Sequence, residues 1–594
     1  MRSILVGSTA AALLTGAALA QEGPPAGSFG SLVEVSEVQM EVQATDREGR
    51  VVEDLRAEEL RLSQDDVAVE ITGLRLVRPQ EPAGEAAAAP GSPATAGASA
   101  PASAAGPAGR DGLHLVAFID NTNVAPFHRR KALGQLWSFL DGSLAPSDRV
   151  MVVAYDRGLR VIQPFTSDSK VVLEALRAYE KSSVMALAPH VAEQRVMQQI
   201  HDKQQIDVQG LRSDPCTIIE NLARNHAAER YNDVRLAAKA LEAFVTSLTG
   251  LPGRKAVIHV SDGIPMIAGL APLAQVQELC DGSGLARGVP YSVDLSSDPH
   301  DHVDPQRIQM AMAQFDSSAL WRDVAAYANL QGVTFYTVHA AGPEPVTGAG
   351  ADVAVRFSSL ETQAAEQRNR LDPLMVLAED TGGRAILNQS DLAAGFADMM
   401  GDLRGYHALT FLPPAAKPGT LHKLRLLTTR PGVTLRYRKS YRFRTRHEQV
   451  ADRLVGAILH DVASNPMGLA VEIHPGEEAQ TEVKAVKGVW VQGRSTRLKL
   501  SLPLAHLTLV SGEQEAHGMF TVFVAVLRAD GLVTAVRQST LPVKVPVGAL
   551  EEARKRSYVY EVELALPEGE HLVGLGVLDE LEGGSSFLRQ KIKV

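Results

Sequence analysis

The chain has 594 residues, a formal net charge of −10, 45% hydrophobic and 22% charged residues. That length exceeds what one hydrophobic core can organise, so we expect three or more domains. The composition is ordinary for soluble globular protein, and the absence of a basic stripe in an acidic chain argues against nucleic acid as the main partner.

The first twenty residues have the pattern of a cleaved export signal. Arg2 precedes a short apolar stretch at 4–14, and Ala18-Leu19-Ala20 is a small-residue cleavage site. No later apolar run has the length of a membrane span. The sequence therefore predicts a secreted or periplasmic protein that is cleaved after Ala20 and has no transmembrane segment.

The next segment, 31–78, is predicted to be all-β. Apolar and polar residues alternate over 38–44, and short strands follow at 60–62 and 67–77. This segment is too small to close a core alone. Residues 79–112 are almost entirely Ala, Pro, Gly and Ser, which is typical of a flexible linker.

From 113 to 404 the pattern changes to strands that alternate with helices. This alternation predicts an α/β domain built on a doubly wound parallel sheet, with one antiparallel hairpin strand. The predicted strands are 113–120, 149–155, 159–165, 255–261, 333–339 and 384–387, and the predicted helices are 128–141, 171–179, 233–248, 320–330 and 371–380.

Strands return in the last third of the chain, interrupted by one connecting helix at 446–462. Those at 406–412, 422–428 and 433–441 lie in the segment 405–445, which we expect to complete one sandwich with 31–78, leaving the α/β domain inserted between them. Residues 463–594 predict a second sandwich of immunoglobulin-like type, with strands at 519–528, 558–566 and 571–578. The turn Pro567-Glu568-Gly569-Glu570 is interpreted as its last hairpin.

Three motifs together resemble a von Willebrand factor A domain. They are Asp120-x-Thr122 after an apolar strand, the hairpin 148–156, and Gly253-Arg254-Lys255 leading to Ser261-Asp262-Gly263. Over 38–441 the chain resembles, more narrowly, the secreted bacterial VWFA-related family, with further cues at 42–46, 377–384, 403–406 and 430–432. The resemblance implies a Rossmann-like fold for the central domain.

The resemblance also implies a metal-ion-dependent adhesion site that holds Mg²⁺ or Mn²⁺. Such a site has Asp-x-Ser-x-Ser after the first strand, a Thr from a later loop and an Asp after the fourth strand, all hard oxygen ligands. Asp120, Thr122 and Asp262 match three of these positions. Side chains that cap nearby backbone amides are the alternative explanation of these polar strand ends.

The match to that site is degenerate. Val124 stands where the second Ser is expected, and no Thr in a recognisable Gly-x-Thr loop precedes the helix near Asp233. Thr217 is a candidate by approximate position only. The amide oxygen of Asn123 is a further candidate, one residue out of register.

Two insertions, 182–230 and 264–318, are far longer than ordinary connections, and both are expected at the carboxyl edge of the sheet around Asp120. They contain the two cysteines of the chain, Cys216 and Cys280. In an oxidising compartment these are expected to pair and to join the insertions into a cap; two free buried thiols are the alternative.

The second insertion contains two histidines and three aspartates within 298–304. His300 and His302 could bind zinc or nickel, and a solvated loop is the alternative. The chain has no nucleophile elbow, phosphate loop or His-Glu-x-x-His helix. We therefore expect a binding protein for a protein or extracellular matrix ligand rather than an enzyme. A metal-independent periplasmic scaffold or assembly factor is the main alternative, and a metal-dependent hydrolase is a third.

Overall fold

The computed structural model describes residues 37–77, 112–181, 189–206, 215–280, 305–343, 359–414, 419–462, 464–484, 490–529 and 532–594. The export signal, nearly all of the predicted linker and the histidine run 298–304 lie outside these ranges. Among the helices of the described residues, none is both long enough and apolar enough to span a membrane.

The strands and helices of the described residues are numbered in chain order. The strands are β1 (Val38–Thr45), β2 (Leu60–Gln64), β3 (Val67–Val69), β4 (Ile71–Val77), β5 (His114–Asp120), β6 (Arg149–Tyr155), β7 (Leu159–Thr166), β8 (Lys255–Ser261), β9 (Val333–His339), β10 (Ala385–Ile386), β11 (Tyr406–Phe411), β12 (Leu421–Thr428), β13 (Thr434–Tyr437), β14 (Ser440–Arg442), β15 (Ala470–Lys484), β16 (Trp490–Pro503), β17 (Val510–Ser511), β18 (Glu515–Leu527), β19 (Arg537–Pro546), β20 (Ser557–Pro567), β21 (Glu570–Asp579) and β22 (Ser585–Lys593). The helices are α1 (Pro126–Ser143), α2 (Ser169–Lys181), α3 (Pro189–Ile206), α4 (Pro215–Ser247), α5 (Leu270–Cys280), α6 (Pro305–Gln314), α7 (Ser318–Gln331), α8 (Leu360–Asp380), α9 (Ala393–Arg404), α10 (Arg446–His460) and α11 (Leu550–Arg554).

The central sheet has the strand order β10-β9-β8-β5-β6-β7. Its strands run parallel except for β7, which is antiparallel to β6. One face packs against α1, α2 and α9, and the other against α4, α7 and α8. All seven residues of β5 are buried because both faces of the sheet are covered, which explains the unbroken apolar run at 114–119. The predicted α/β central domain is confirmed.

The β strands before and after the central domain pair with one another. One sheet has the order β13-β1-β11-β4 and the other β14-β12-β2-β3, and the two share a core. In the first sheet Val77, where the chain leaves for the central domain, is paired with Tyr406, where it returns. Each sheet contains strands from both segments, so neither segment forms a complete sheet alone. We call residues 37–77 and 406–442 together the split β unit.

The two long insertions of the central domain form a helical cap. The cap is made of α3, the first half of α4, α5 and α6. The cap has its own apolar core, which includes Ile200, Ile219, Ala223, Leu273 and Ile308. A disulfide between Cys216 and Cys280 joins the beginning of α4 to the last residue of α5. The two cysteine-bearing insertions therefore meet in one cap.

Several predicted helix bounds are corrected by the structure. Helix α4 begins at Pro215 rather than near 233, so the first insertion does not end at 230 but continues as one helix into the central domain. Helix α8 begins at Leu360 rather than near 371, the last strand of the sheet shrinks to Ala385–Ile386, and α9 was not predicted. The first half of α4 was not predicted because its apolar residues face the core of the cap, whereas those of the second half face the core of the central domain.

The C-terminal domain has two sheets around one core, of orders β15-β16-β20 and β17-β18-β21-β22, with β19 also paired to β18. The turn 567–570 is not a hairpin, because β20 pairs with β16 in one sheet while β21 pairs with β18 and β22 in the other. The last hairpin is β21–β22. A Pro/Gly turn permits a reversal of the chain but does not determine which strands it joins.

The split β unit is joined to the central domain by ion pairs, two of which share the buried carboxylate of Asp402. Asp402 on α9 is 3% exposed, and its carboxylate accepts hydrogen bonds of 2.7 Å from both Nη1 and Nη2 of Arg436 on β13. Arg384 contacts the same carboxylate, and Arg254 before β8 pairs with Glu41 on β1 at 2.6 Å. Helix α10 packs on β18, β21 and β22 of the C-terminal domain.

Candidate functional site

The site lies at the carboxyl end of β5, the central strand of the α/β domain. Asp120 is the last residue of β5, is 2% exposed and is followed by a short 3₁₀ turn. Its Oδ1 accepts a hydrogen bond from the Asn123 backbone N–H at 3.3 Å, and its Oδ2 accepts one from Asn123 Nδ2 at 2.9 Å. Ser261, at the end of the adjacent strand β8, donates to Oδ2 at 3.4 Å. The chain thus holds this carboxylate in one orientation.

Asp262 follows β8 and links the two strand ends to the beginning of α1. Its backbone N–H donates to the Asn123 carbonyl at 2.7 Å. Its Oδ2 accepts from the Ala125 backbone N–H at 2.7 Å and from His128 Nδ1 at 2.8 Å. Ala125 precedes α1 and has no side-chain oxygen, so Asp262 supplies the negative charge that stabilises this helix N-terminus.

Two buried oxygens of the site lack a hydrogen-bond partner among the described residues: Thr122 Oγ1 and Asp262 Oδ1. Nearby, burial raises the pKa of Asp120 from 3.8 to about 6, against the opposing effect of its hydrogen bonds from Asn123 and Ser261. Buried polar atoms are usually satisfied, so unpartnered oxygens beside a costly carboxylate indicate room for a further ligand. Carboxylate and hydroxyl oxygens fit a hard divalent cation.

Other predicted site residues are not available for such a cation. Val124 is buried and contributes no oxygen. The Asn123 amide oxygen already accepts a hydrogen bond from Arg230 Nη2 at 3.2 Å. Thr217 lies in the first turn of α4, so thirteen residues at 1.5 Å each put it about 20 Å along the helix from Arg230, the α4 residue that reaches the site. The structure brings together Asp120, Thr122 and Asp262, and does not bring Thr217 to them.

Arg230 is a site residue that the sequence did not reveal. Its side chain is 10% exposed and lies 3.5 Å from Asp233 Oδ2 as well as beside Asn123. A single arginine within a helical stretch has no distinguishing signal. The continuity of α4 from the cap into the central domain brings this guanidinium group to the strand ends.

A layer of buried charges continues from Arg230 into the cap. Burial alone would raise the pKa of Glu193 on α3, but His226, Arg230 and Arg370 together lower it. Burial and the charge of Glu193 raise the pKa of Glu366 on α8 to about 8. Within the described ranges, no three or more histidine, cysteine or acidic side chains converge closely enough to hold a metal ion by themselves.

Solved structures of low sequence identity align with about half of this chain. The vWF domain of the type V pili tip protein Mfa5 from Porphyromonas gingivalis is 13% identical, over 49% of this chain and 95% of that one, with a TM-score of 0.22. BatB from Bacteroides thetaiotaomicron is 10% identical, over 49% and 97%, with a TM-score of 0.21. An aerotolerance-related membrane protein from Bacteroides fragilis is 10% identical, over 49% and 98%, with a TM-score of 0.21.

No protein-family model matches the sequence, and no curated protein sequence does. The fold of the central domain follows from its own strands and helices. Its doubly wound sheet has one antiparallel edge strand, and Asp120, Thr122 and Asp262 meet at its carboxyl edge. The central unit thus has the doubly wound α/β fold that the resemblance to a von Willebrand factor A domain implied.

Proposed function

We propose that this is an exported binding protein, secreted or periplasmic, whose A domain presents the carboxyl edge of its sheet to a protein or extracellular matrix ligand. The observation that carries the proposal is the pair of unpartnered buried oxygens, Thr122 Oγ1 and Asp262 Oδ1, beside the buried carboxylate of Asp120. Ligands of doubly wound sheets bind at this edge. The two β units, each with two sheets around one core, act in this proposal as immunoglobulin-like supports.

In the proposed site Asp120, Thr122 and Asp262 hold one Mg²⁺ or Mn²⁺. Such an ion would offer an open coordination position to a carboxylate of the partner. Asn123 and Ser261 orient Asp120, and Ala125 with His128 orients Asp262. Arg230 balances part of the negative charge from the cap side.

Calorimetric titration of Mg²⁺, Mn²⁺ and Zn²⁺ into the full chain tests this proposal. We expect one site for Mg²⁺ or Mn²⁺ that is lost in Asp120→Ala and in Asp262→Asn. Asp141→Asn is a matched control, since Asp141 is an exposed carboxylate on the neighbouring helix α1. Metal binding retained by Asp120→Ala would overturn the assignment.

A metal-independent scaffold or assembly factor is the second candidate function. It is favoured by the buried Val124, by the Arg230 guanidinium beside Asn123, and by the engagement of Asp262 Oδ2 with the protein itself. Absence of heat for all three ions, with partner capture from the native envelope unchanged in Asp120→Ala, supports this candidate.

We propose no catalytic role for the chain. A metal-dependent hydrolase would need the histidines at 300 and 302. Zinc binding that survives Asp120→Ala but is lost in His300→Ala/His302→Ala would favour that third function over both others.

A further inference from the structure

We propose that a basic rim beside the Asp120 site binds an acidic segment of another protein that also carries an apolar side chain. The basic rim consists of Phe127 and Arg130 on α1 together with Arg157 and Arg160 at the β6–β7 turn. This inference adds the chemistry of the partner to the proposed function, and it requires no metal ion at Asp120.

Phe127 gives the rim an apolar anchor. Its side chain is 72% exposed, although it lies in the first turn of α1, directly beside the site. Its ring centroid is 5.9 Å from that of His128, whose Nδ1 contacts Asp262. Exposed aromatic side chains beside a functional edge are the kind of residue that dominates binding energy in protein interfaces.

Guanidinium groups lie at the same edge of the sheet as this anchor. Arg160 and the buried Arg129 lie with their Cζ atoms 5.5 Å and 5.4 Å from the ring centroid of Tyr179, whose hydroxyl contacts Asn121 next to Asp120. The ring thus positions Arg160 at the same edge of the sheet as the site. Arg157 is exposed in the β6–β7 turn.

The charge of Arg130 remains available to a partner. Its side chain is 69% exposed and its Nε lies 3.8 Å from Glu180 Oε1. A surface pair of this length contributes little, so an incoming carboxylate competes with it at low cost.

The charge balance of this region is opposite to that of the whole chain. Residues 126–181 contain nine Lys and Arg against six Asp and Glu, whereas the chain has a net charge of −10. This stretch contributes the exposed guanidinium groups of Arg130, Arg157 and Arg160 to the rim, and exposed positive charge accelerates association with acidic partners.

A groove of about 640 Å³ continues from the rim along α1. Its lining includes Arg130, Lys131, Gly134, Ser138, Phe139 and Ala393. No atom lies within 4 Å of where a Cβ of Gly134 or Gly142 would be, so the floor is open. Basic groups at one end and an apolar floor suit a peptide with acidic and apolar side chains better than a sulfated polysaccharide, which offers no apolar groups.

The test measures the binding of a fluorescent peptide to the full chain in EDTA. The peptide has twelve residues, two of which are phenylalanine and the others mainly acidic. Fluorescence anisotropy is expected to show binding that weakens about tenfold in Arg130→Glu/Arg160→Glu and severalfold in Phe127→Ala, since each tenfold change corresponds to about 1.4 kcal/mol. Arg425→Glu/Lys544→Glu is the control, because it changes net charge equally at exposed sites on the β units. Replacing EDTA with Mg²⁺ should leave the affinity of the wild type for the peptide unchanged.

Each other outcome overturns the inference. Equal weakening in the rim and control variants would show a general charge effect. Tighter rim-dependent binding of heparin than of the peptide would assign the rim to a polysaccharide. Peptide binding that requires Mg²⁺ would place the peptide at the Asp120 site. Failure of the metal titration is a separate result and affects only the proposed cation.

Discussion

Asp120 shows how the chain maintains a site at the expense of stability. A carboxylate that is 2% exposed and has its pKa raised to about 6 is held in an environment that disfavours its charge. The folded state binds this proton more tightly than the unfolded state does, so the associated stability is present at low pH and is lost as pH rises from about 4 to about 6.

The unfolding free energy of metal-free Asp120→Asn relative to the wild type is therefore expected to rise by up to about 3 kcal/mol between pH 4 and pH 7.5, because the amide has no charge to bury at either pH. Urea unfolding in EDTA at both pH values measures the difference. Asp141→Asn should show no such rise, and a difference between Asp120→Asn and the wild type that is the same at both pH values would contradict the argument.

His259 has the opposite dependence on pH. It lies in β8, stacks on Phe118 at 5.3 Å between ring centroids, and burial lowers its pKa from 6.5 to about 4. The stability that depends on its neutral form is complete above pH 6.5 and is lost as pH falls toward 4.

Replacing His259 with Gln should flatten the acid side of the stability profile. The unfolding free energy of the wild type relative to His259→Gln is expected to fall by about 1.4 kcal/mol per pH unit between pH 6.5 and pH 4. Denaturant unfolding across this range checks the slope. His474→Gln, at a side chain that is 59% exposed, should leave the slope unchanged.

At the scale of elements, the sequence predicted those whose environment is uniform along their length. The predicted bounds of β8 and β9 match the structure because both faces of these strands are buried, so that apolar side chains predominate along their length. Helix α4 was only half predicted, since its two halves face different cores. Asp120 and Asp262 could be predicted because each follows a recognisable strand. The position of Arg230, and the strands that pair on either side of a turn, depend on contacts between residues distant in sequence.

We expect the disulfide to stabilise the cap more than it stabilises the central sheet. Cys216 and Cys280 are 64 residues apart, and closing a loop of that length is worth about 4 kcal/mol in the chain-entropy model. In Cys216→Ser/Cys280→Ser we expect faster hydrogen exchange in α3 and α5, while β5 and β8 keep their protection. Equal loss of protection in the cap and the sheet would show that the disulfide stabilises the whole domain.

At the scale of the whole molecule, we expect the ion pairs of Asp402 to couple the unfolding of the split β unit to that of the central domain. Asp402 is buried between Arg384 and Arg436, while Asp398, one turn earlier on α9, contacts Arg384 from a side chain that is 59% exposed. Removing one partner of a buried pair leaves charges uncompensated, whereas an exposed pair contributes little.

Asp402→Ala is therefore expected to cost about 3–5 kcal/mol and to separate the two units into distinct calorimetric transitions. Asp398→Ala should cost at most about 1 kcal/mol and leave the transitions unchanged. Scanning calorimetry of both variants makes the comparison, and equal costs would contradict the assignment of the junction to Asp402.

The pairing of Val77 with Tyr406 has a mechanical consequence. The chain leaves the split β unit and returns to it on neighbouring strands, and β1 is also paired with β11 and β13. Tension applied between residues 37 and 442 therefore passes through these strand pairs and bypasses the central domain. The A domain bears no load until these strand pairs separate. A protein stretched between two attachment points would keep its binding edge folded. That edge would unfold only after the split β unit had been pulled apart.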